Sequence, residues 1–209
     1  VSHAPTTTRL LLARHGQTDA NAGQVFQGQT GGPLNEVGRT QAEKLAKRLR
    51  TSGASIVYAS DLLRAVETAT FVADALGVPL REDRTLREVD VGAWSGVSLD
   101  DVKRRFPEEY AAWHAGIDIR RGGGETYGEL AHRLRRAVVS IAAAHPGQTV
   151  VVVSHGAALR ALGCSVLGIE PPGPKSLAGV RNTALAEIVA EEGSLRLLSW
   201  NDAAHLEGW

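Results

Sequence analysis

Residues 10–16 read LLLARHG and residues 150–156 read VVVVSHG. Each apolar run breaks off at a histidine followed by a glycine. Runs with no polar alternation leave no face for water, so both are strands covered on two sides, as in a sheet with helices above and below it. In open sheets of this kind ligands sit beyond the carboxyl ends of the strands. If the two runs are neighbours, their histidines meet at that edge. The glycine after each histidine permits a sharp turn and a close approach of a ligand to the backbone. Charged and titratable side chains are costly where a core strand stops unless something uses them, and Arg14, His15 and His155 all stand there.

Helical and extended patterns alternate around these two strands. Residues 1–8 are expected to be a flexible tail. Residues 35–51 carry a helical period, with Val37, Ala42, Leu45, Ala46 and Leu49 on one face and Asn35 as cap. Residues 56–59 read as a short strand. Ser60 then caps a helix over 61–76 that Gly77 and Pro79 terminate. Beyond a loop-rich segment with Gly92, Trp94 and Gly96 come a helical stretch over 100–114, a glycine-rich turn at 122–124 and a long helix over 126–144. The second apolar strand is followed by a helix over 156–167, a proline-rich loop at 170–174 and a hairpin of strands 184–190 and 195–200. Residues 201–209 read as a C-terminal tail. The class is α/β: one three-layer domain over 9–200, with a mixed, mainly parallel sheet flanked by helices.

Composition narrows the function. The chain has 209 residues, a formal net charge of zero and 5% aromatic residues, which opposes a nucleic-acid partner or a membrane held by bulk electrostatics. Its apolar runs fall short of the roughly 18 residues of a membrane span. The opening lacks the features of a secretory signal, and the single cysteine, Cys164, suits a reducing compartment. A cytoplasmic location is expected. Cys164 reads as a buried, inert thiol, and His114, His132 and His145 as surface residues.

Two histidines beside an arginine fit metal binding or phosphoryl chemistry. A metal would need further ligands, and neither a cysteine pair nor a closely spaced histidine pair is present. A neutral imidazole is a good nucleophile towards phosphorus, and a guanidinium matches phosphate oxygens, so phosphoryl chemistry is favoured, with helix N-termini adding N–H donors to the anion site.

The Arg14-His15-Gly16 opening, Asn21, SDLLRAVETA at 60–69, LREVDVGAWSG at 86–96, GGGET at 122–126 and VVSHG at 152–156 together resemble the histidine phosphatase superfamily, the phosphoglycerate-mutase-like group. The resemblance implies that group's single α/β domain and metal-independent hydrolysis of a small phosphate monoester, with no cofactor. It makes His15 a nucleophile that carries the phosphoryl group. Arg14 and Arg64 become phosphate clamps, and His155 a second imidazole that stabilises the transferring oxygens when protonated. Glu88 becomes the group that protonates the leaving oxygen and then activates water, with Asp90, two residues on, as its rival. Asn21, Thr18, Gln27 and Gly28 match phosphate- or substrate-contacting positions. Glu125 matches the pocket rim, although it equally reads as an acid favoured by a helix N-terminus. Trp94, Trp113 and Tyr127 fit either the leaving-group side or the core. His205 lies in the C-terminal tail, which some relatives of the group fold near the pocket and which reads equally as disordered.

Mutases of the group return the phosphoryl group to a sugar acid. Their Tyr and Lys after the acid/base Glu would fall on Val91 and Leu99, and their tandem arginines on His114 and Ala115. These missing anchors favour a phosphatase, while Arg120 and Arg121 keep a cofactor-dependent mutase open. A non-catalytic phosphate-binding module is the third reading. A homodimer is compatible with all three.

Overall fold

The computed structural model describes residues 7–170, 172 and 177–207. Most of the expected N-terminal tail and of the proline-rich loop, and the last two residues of the chain, lie outside the described residues.

Among the described residues six strands form one sheet: β1 (Thr8–Arg14), β2 (Ala54–Ala59), β3 (Leu80–Glu82), β4 (Thr149–Ser154), β5 (Leu185–Glu191) and β6 (Ser194–Asp202). Their order is β3-β2-β4-β1-β5-β6. The first four run parallel and the β5–β6 hairpin is antiparallel, so the sheet is mixed as expected. The two apolar runs are the central neighbours, in a register that pairs Ala13 with Val153 and Arg14 with Ser154. That register puts His15 and His155 side by side.

Among the described residues seven helices accompany the sheet: α1 (Asp19–Ala22), α2 (Glu36–Leu49), α3 (Leu63–Leu76), α4 (Leu99–Arg105), α5 (Pro107–His114), α6 (Tyr127–Ala144) and α7 (Gly156–Val166). Alternation along the strands divides the core. Leu11, Ala13, Val151 and Val153 pack with Leu45, Leu49, Ala65, Ala69 and Val72 of α2 and α3. Leu10, Leu12, Val150 and Val152 pack with Leu130, Leu134, Leu159 and Leu162 of α6 and α7. The domain therefore has three layers.

Local signals account for most element ends. Asn35 caps α2 by accepting from Gly38 N, and Thr126 forms a reciprocal capping box with Glu129 at the start of α6. Gly77 closes α3 at φ 65°, a left-handed conformation that glycine adopts without penalty. Other expectations need correction. The stretch over 100–114 is two helices, because Pro107 has no N–H to continue α4 and instead opens α5. Ser60 accepts from Leu62 N, but α3 starts only at Leu63, without a side-chain cap. Val37 is 37% exposed, at the edge of the apolar face expected to cover it. β3 and α1, three and four residues long, are too short for any period to announce. Residues 201 and 202, expected in the tail, end β6. A further turn at Ala204–Leu206 buries Leu206 and sets His205 Nε2 3.2 Å from Thr183 Oγ1.

Candidate active site

His15 and His155 face each other with ring centroids 5.2 Å apart, and both are almost fully buried. His15 Nδ1 lies 2.7 Å from Gly16 O. A carbonyl can only accept, so Nδ1 carries the proton and Nε2 presents its lone pair. Gly16 itself is held by Thr68, whose Oγ1 accepts from its N–H. Burial first, then the charges of Arg14 and Arg64, hold His15 well below the usual imidazole value. His155 is held well below it too, by burial and then by Arg64, His15, Arg14 and Arg133. Neither ring nitrogen of His155 has a hydrogen-bond partner among the described residues.

The arginines are fixed by carbonyls, and Glu88 is near enough for its charge to act on both without forming an ion pair. Arg14 Nη1 donates to Val180 O, while Arg64 donates to Thr30 O at 2.6 Å and Gly28 O at 2.8 Å. Neither forms an ion pair among the described residues, and the Nε of each is buried and unpartnered. Burial pulls Arg64 down to about 10, still cationic at neutral pH. Two orphaned guanidinium Nε–H donors beside a nucleophilic nitrogen form an anion site awaiting its anion. Gly156 stands where a Cβ would come within 3.3 Å of Arg14 Nε, so glycine keeps that guanidinium in place.

Glu88 lines the same cleft. Its Oε1 accepts from Val89 N and Ala158 N, and its Oε2 accepts from Ala157 N alone, keeping a free lone pair. The N–H groups of Ala157 and Ala158 at the start of α7 are thus taken by this carboxylate. Those two N–H groups are therefore not open to an anion. Asp90, the rival acid, is exposed and caps Gly92 N outside the cleft.

The remaining candidates divide into lining and supporting residues. A cleft of about 240 Å³ is lined by Arg14, His15, Asn21, Gln27, Gly28, Arg64 and Glu88, with Trp113, Arg121 and Tyr127 farther along. Gly28 sits at φ 52°, where a Cβ would also come within 2.7 Å of Val91 Cγ2. Thr18 does not line the cleft. It caps α1 and donates to Gln27 Oε1 at 3.2 Å, positioning the loop instead. Glu125 does not line it either. Its carboxylate grips Arg133 at 2.9 and 2.8 Å, and Arg133 donates to the carbonyls of Thr85, Arg87 and Glu88. Trp94 is core, whereas His145 is half-buried and bonded to Tyr58. Cys164 is buried, and burial pushes its thiol up.

Sequence reasoning missed two residues. Asn182 donates to His15 O at 2.9 Å and also approaches Asn21 Oδ1. Arg133 lies in mid-helix with no motif around it. Only the fold brings either to the site. Among the described residues no group of three or more His, Cys, Asp and Glu could hold a metal ion, and no helix is long and apolar enough to cross a membrane.

Paired imidazoles and Arg14 at the ends of two parallel strands, with Arg64 from α3 and the Glu88 carboxylate in the same cleft, suit phosphoryl transfer. The family model of the histidine phosphatase superfamily, branch 1, matches residues 10–203. The chain is 34% identical to a probable phosphoglycerate mutase from Yersinia enterocolitica, over 95% of each chain. It is 32% identical to phosphoserine phosphatase 1 from Hydrogenobacter thermophilus, covering 95% of this chain and 94% of that one. The solved structure of mycobacterial glucosyl-3-phosphoglycerate phosphatase with VO3 superposes with a TM-score of 0.85 at 31% identity, covering 96% of this chain and all of that one. The chain belongs to the histidine phosphatase superfamily. Its chemistry is phosphomonoester hydrolysis.

Proposed function

We propose that the chain hydrolyses small phosphate monoesters through a phosphohistidine on His15. The observation that carries this reading is the His15 tautomer: Nδ1–H donates its hydrogen bond to the Gly16 carbonyl, leaving Nε2 as a lone-pair donor near the charges of Arg14 and Arg64. In the first step Nε2 attacks phosphorus and the ester P–O bond breaks. Arg14 and Arg64 hold the phosphoryl oxygens, and Glu88, entering the step as the carboxylic acid with its proton on Oε2, gives that proton to the leaving oxygen and is left as the carboxylate. In the second step water attacks the phosphohistidine, Glu88 takes the water proton, and the N–P bond breaks to release inorganic phosphate. His155 starts neutral. A bound phosphate dianion favours its protonated form, which then shares the charge on the transferring oxygens. Asn21, Gln27 and Gly28 complete the cradle, with Thr18, Glu125 and Asn182 as positioning residues.

Relatives named for phosphoserine and glucosyl-3-phosphoglycerate support a small phosphorylated metabolite as the natural ester. One buried, unpaired thiol fits a cytoplasmic setting. The mutase-named relative sustains a second reading, phosphoryl return to a sugar acid. Against it, the mutase-type anchors are replaced by Val91, which is buried, and Leu99.

The test is phosphate release from p-nitrophenyl phosphate in EDTA, followed by rapid quench with a radiolabelled ester. The expected result is metal-independent release and acid-labile label on the wild type, with none on His15→Ala. Release without label on His15 would sink the phosphohistidine route. No release, but activity on 3-phosphoglycerate primed with a bisphosphate, would assign the mutase. Silence in both assays would leave a binding module.

A further inference from the structure

Arg121 lines the same cleft as Arg14, His15 and Arg64 and is 3% exposed. Its Nε and Nη2 have no hydrogen-bond partner among the described residues. Its guanidinium lies 4.5 Å from the Tyr127 ring centroid and 6.0 Å from that of Trp113. Burying an unpaired charge is costly, and the carboxylates around this loop are engaged by other donors. Glu109 accepts from Gly122 N, Asp118 from Tyr127 N and Gly128 N, Glu125 grips Arg133, and Glu129 pairs with the exposed Arg120.

The loop holds Arg121 rigidly. Gly122, at φ 57°, packs so tightly on the segment after Glu88 that a Cβ would lie 2.5 Å from Val91 O, and Glu125 N donates to Asp90 O. Arg14 and Arg64 lower both imidazoles, joined at His155 by Arg133. The cleft that Arg14 and Arg64 line with His15 also holds a third buried cation, Arg121, packed against the rings of Trp113 and Tyr127, which suit a short carbon skeleton.

We infer that Arg121 anchors a carboxylate on the leaving group, so that the substrates are phosphate monoesters of small hydroxy acids. This rests on the phosphatase reading above. A planar fork with two free N–H groups, Nε and Nη2, matches a carboxylate edge-on.

O-Phosphoserine and O-phosphoethanolamine differ only by the carboxylate, and the ratio of their kcat/KM values isolates its recognition. The wild type should favour phosphoserine. Arg121→Met should lower that ratio about tenfold or more, chiefly through KM, and Arg121→Lys should restore part of it. Thermal melting identifies variants that fail to fold, and Arg121→Lys then decides. A wild-type ratio near one, or a ratio unmoved in a folded Arg121→Met protein, overturns the inference while p-nitrophenyl phosphate release still upholds the phosphatase. A loss confined to bisphosphorylated esters assigns Arg121 to a second phosphate and overturns the carboxylate. Failure to release phosphate from any ester sinks the underlying phosphatase reading instead.

Discussion

At the residue scale, the division of labour between two similar imidazoles is set by their neighbours. His15 has an acceptor for Nδ1, whereas His155 has none on either nitrogen, so only His15 has a fixed tautomer. Because His15 is held below the usual value, it stays neutral and nucleophilic as pH falls towards 6.5 and somewhat beyond. The acid limb of kcat/KM should therefore lie below pH 6.5 in the wild type. Arg64→Met removes one of the charges holding His15 down, so its acid limb should move to higher pH, together with a large fall in rate. Comparing the two proteins on one substrate cancels the substrate's own titration. An unshifted limb would mean that Arg64 does not act on His15. Glu88→Gln separates the acid from the clamp. It should slow alkyl phosphates about 10²–10⁴-fold, and aryl phosphates, whose leaving groups need no proton, far less. Equal losses on both esters would remove Glu88 from the proton path.

At the element scale, the loop carrying Glu88 is held from two sides. The start of α7 binds its carboxylate, and Arg133 of α6 binds the carbonyls of Thr85, Arg87 and Glu88 while Glu125 fixes Arg133. Glu125 thus acts through Arg133 and not on the substrate. Glu125→Gln weakens that grip and should lower kcat about tenfold to a hundredfold, since small misplacements of a reacting group are costly. The loss should again be larger on alkyl than on aryl esters, and Glu125→Asp should recover part of it. A pure KM effect would instead place Glu125 in substrate binding. Elements with strong local signals were legible in the sequence: the two apolar strands, the capped helices α2 and α6, and the Gly77 stop of α3. The short β3 and the break at Phe106-Pro107 were not, because neither is long enough for periodicity to outweigh its neighbours.

At the scale of the whole molecule, acid sensitivity follows from burial. His15, His155 and His205 are all held below the usual imidazole value, His205 at about 4, chiefly by burial. Each is neutral in the folded protein. As pH drops through 6.5, the unfolded chain takes up protons that the folded one refuses, so stability present above pH 6.5 is progressively lost towards pH 4. The carboxylates of Asp61 and Glu187, held low by Arg87 and Arg9, add losses in the same direction at lower pH. Melting temperature should fall steadily from pH 7 to pH 4, and His205→Asn should flatten part of the slope. A flat profile in the wild type would contradict the burial of these three rings.

What the sequence by itself determined is whatever depends on near neighbours in the chain. That includes strands 10–13 and 150–153, most helix limits, and the presence of Arg-His-Gly and Ser-His-Gly at strand ends. Only the tertiary structure decided which side chains share the cleft. Parallel pairing of β1 with β4 brings His15 to His155 across a separation that no motif spans. The same packing sends Asp90 outward and Glu88 inward, turns Thr18 and Glu125 into supports, and recruits Asn182 and Arg133. It also parts Arg120 from Arg121, giving one to Glu129 and leaving the other unpaired in the cleft. The physical reason is that burial and hydrogen-bond partnership are properties of the packed whole. Adjacent residues of identical type differ in function once one is paired in solvent and the other is enclosed without a counter-ion.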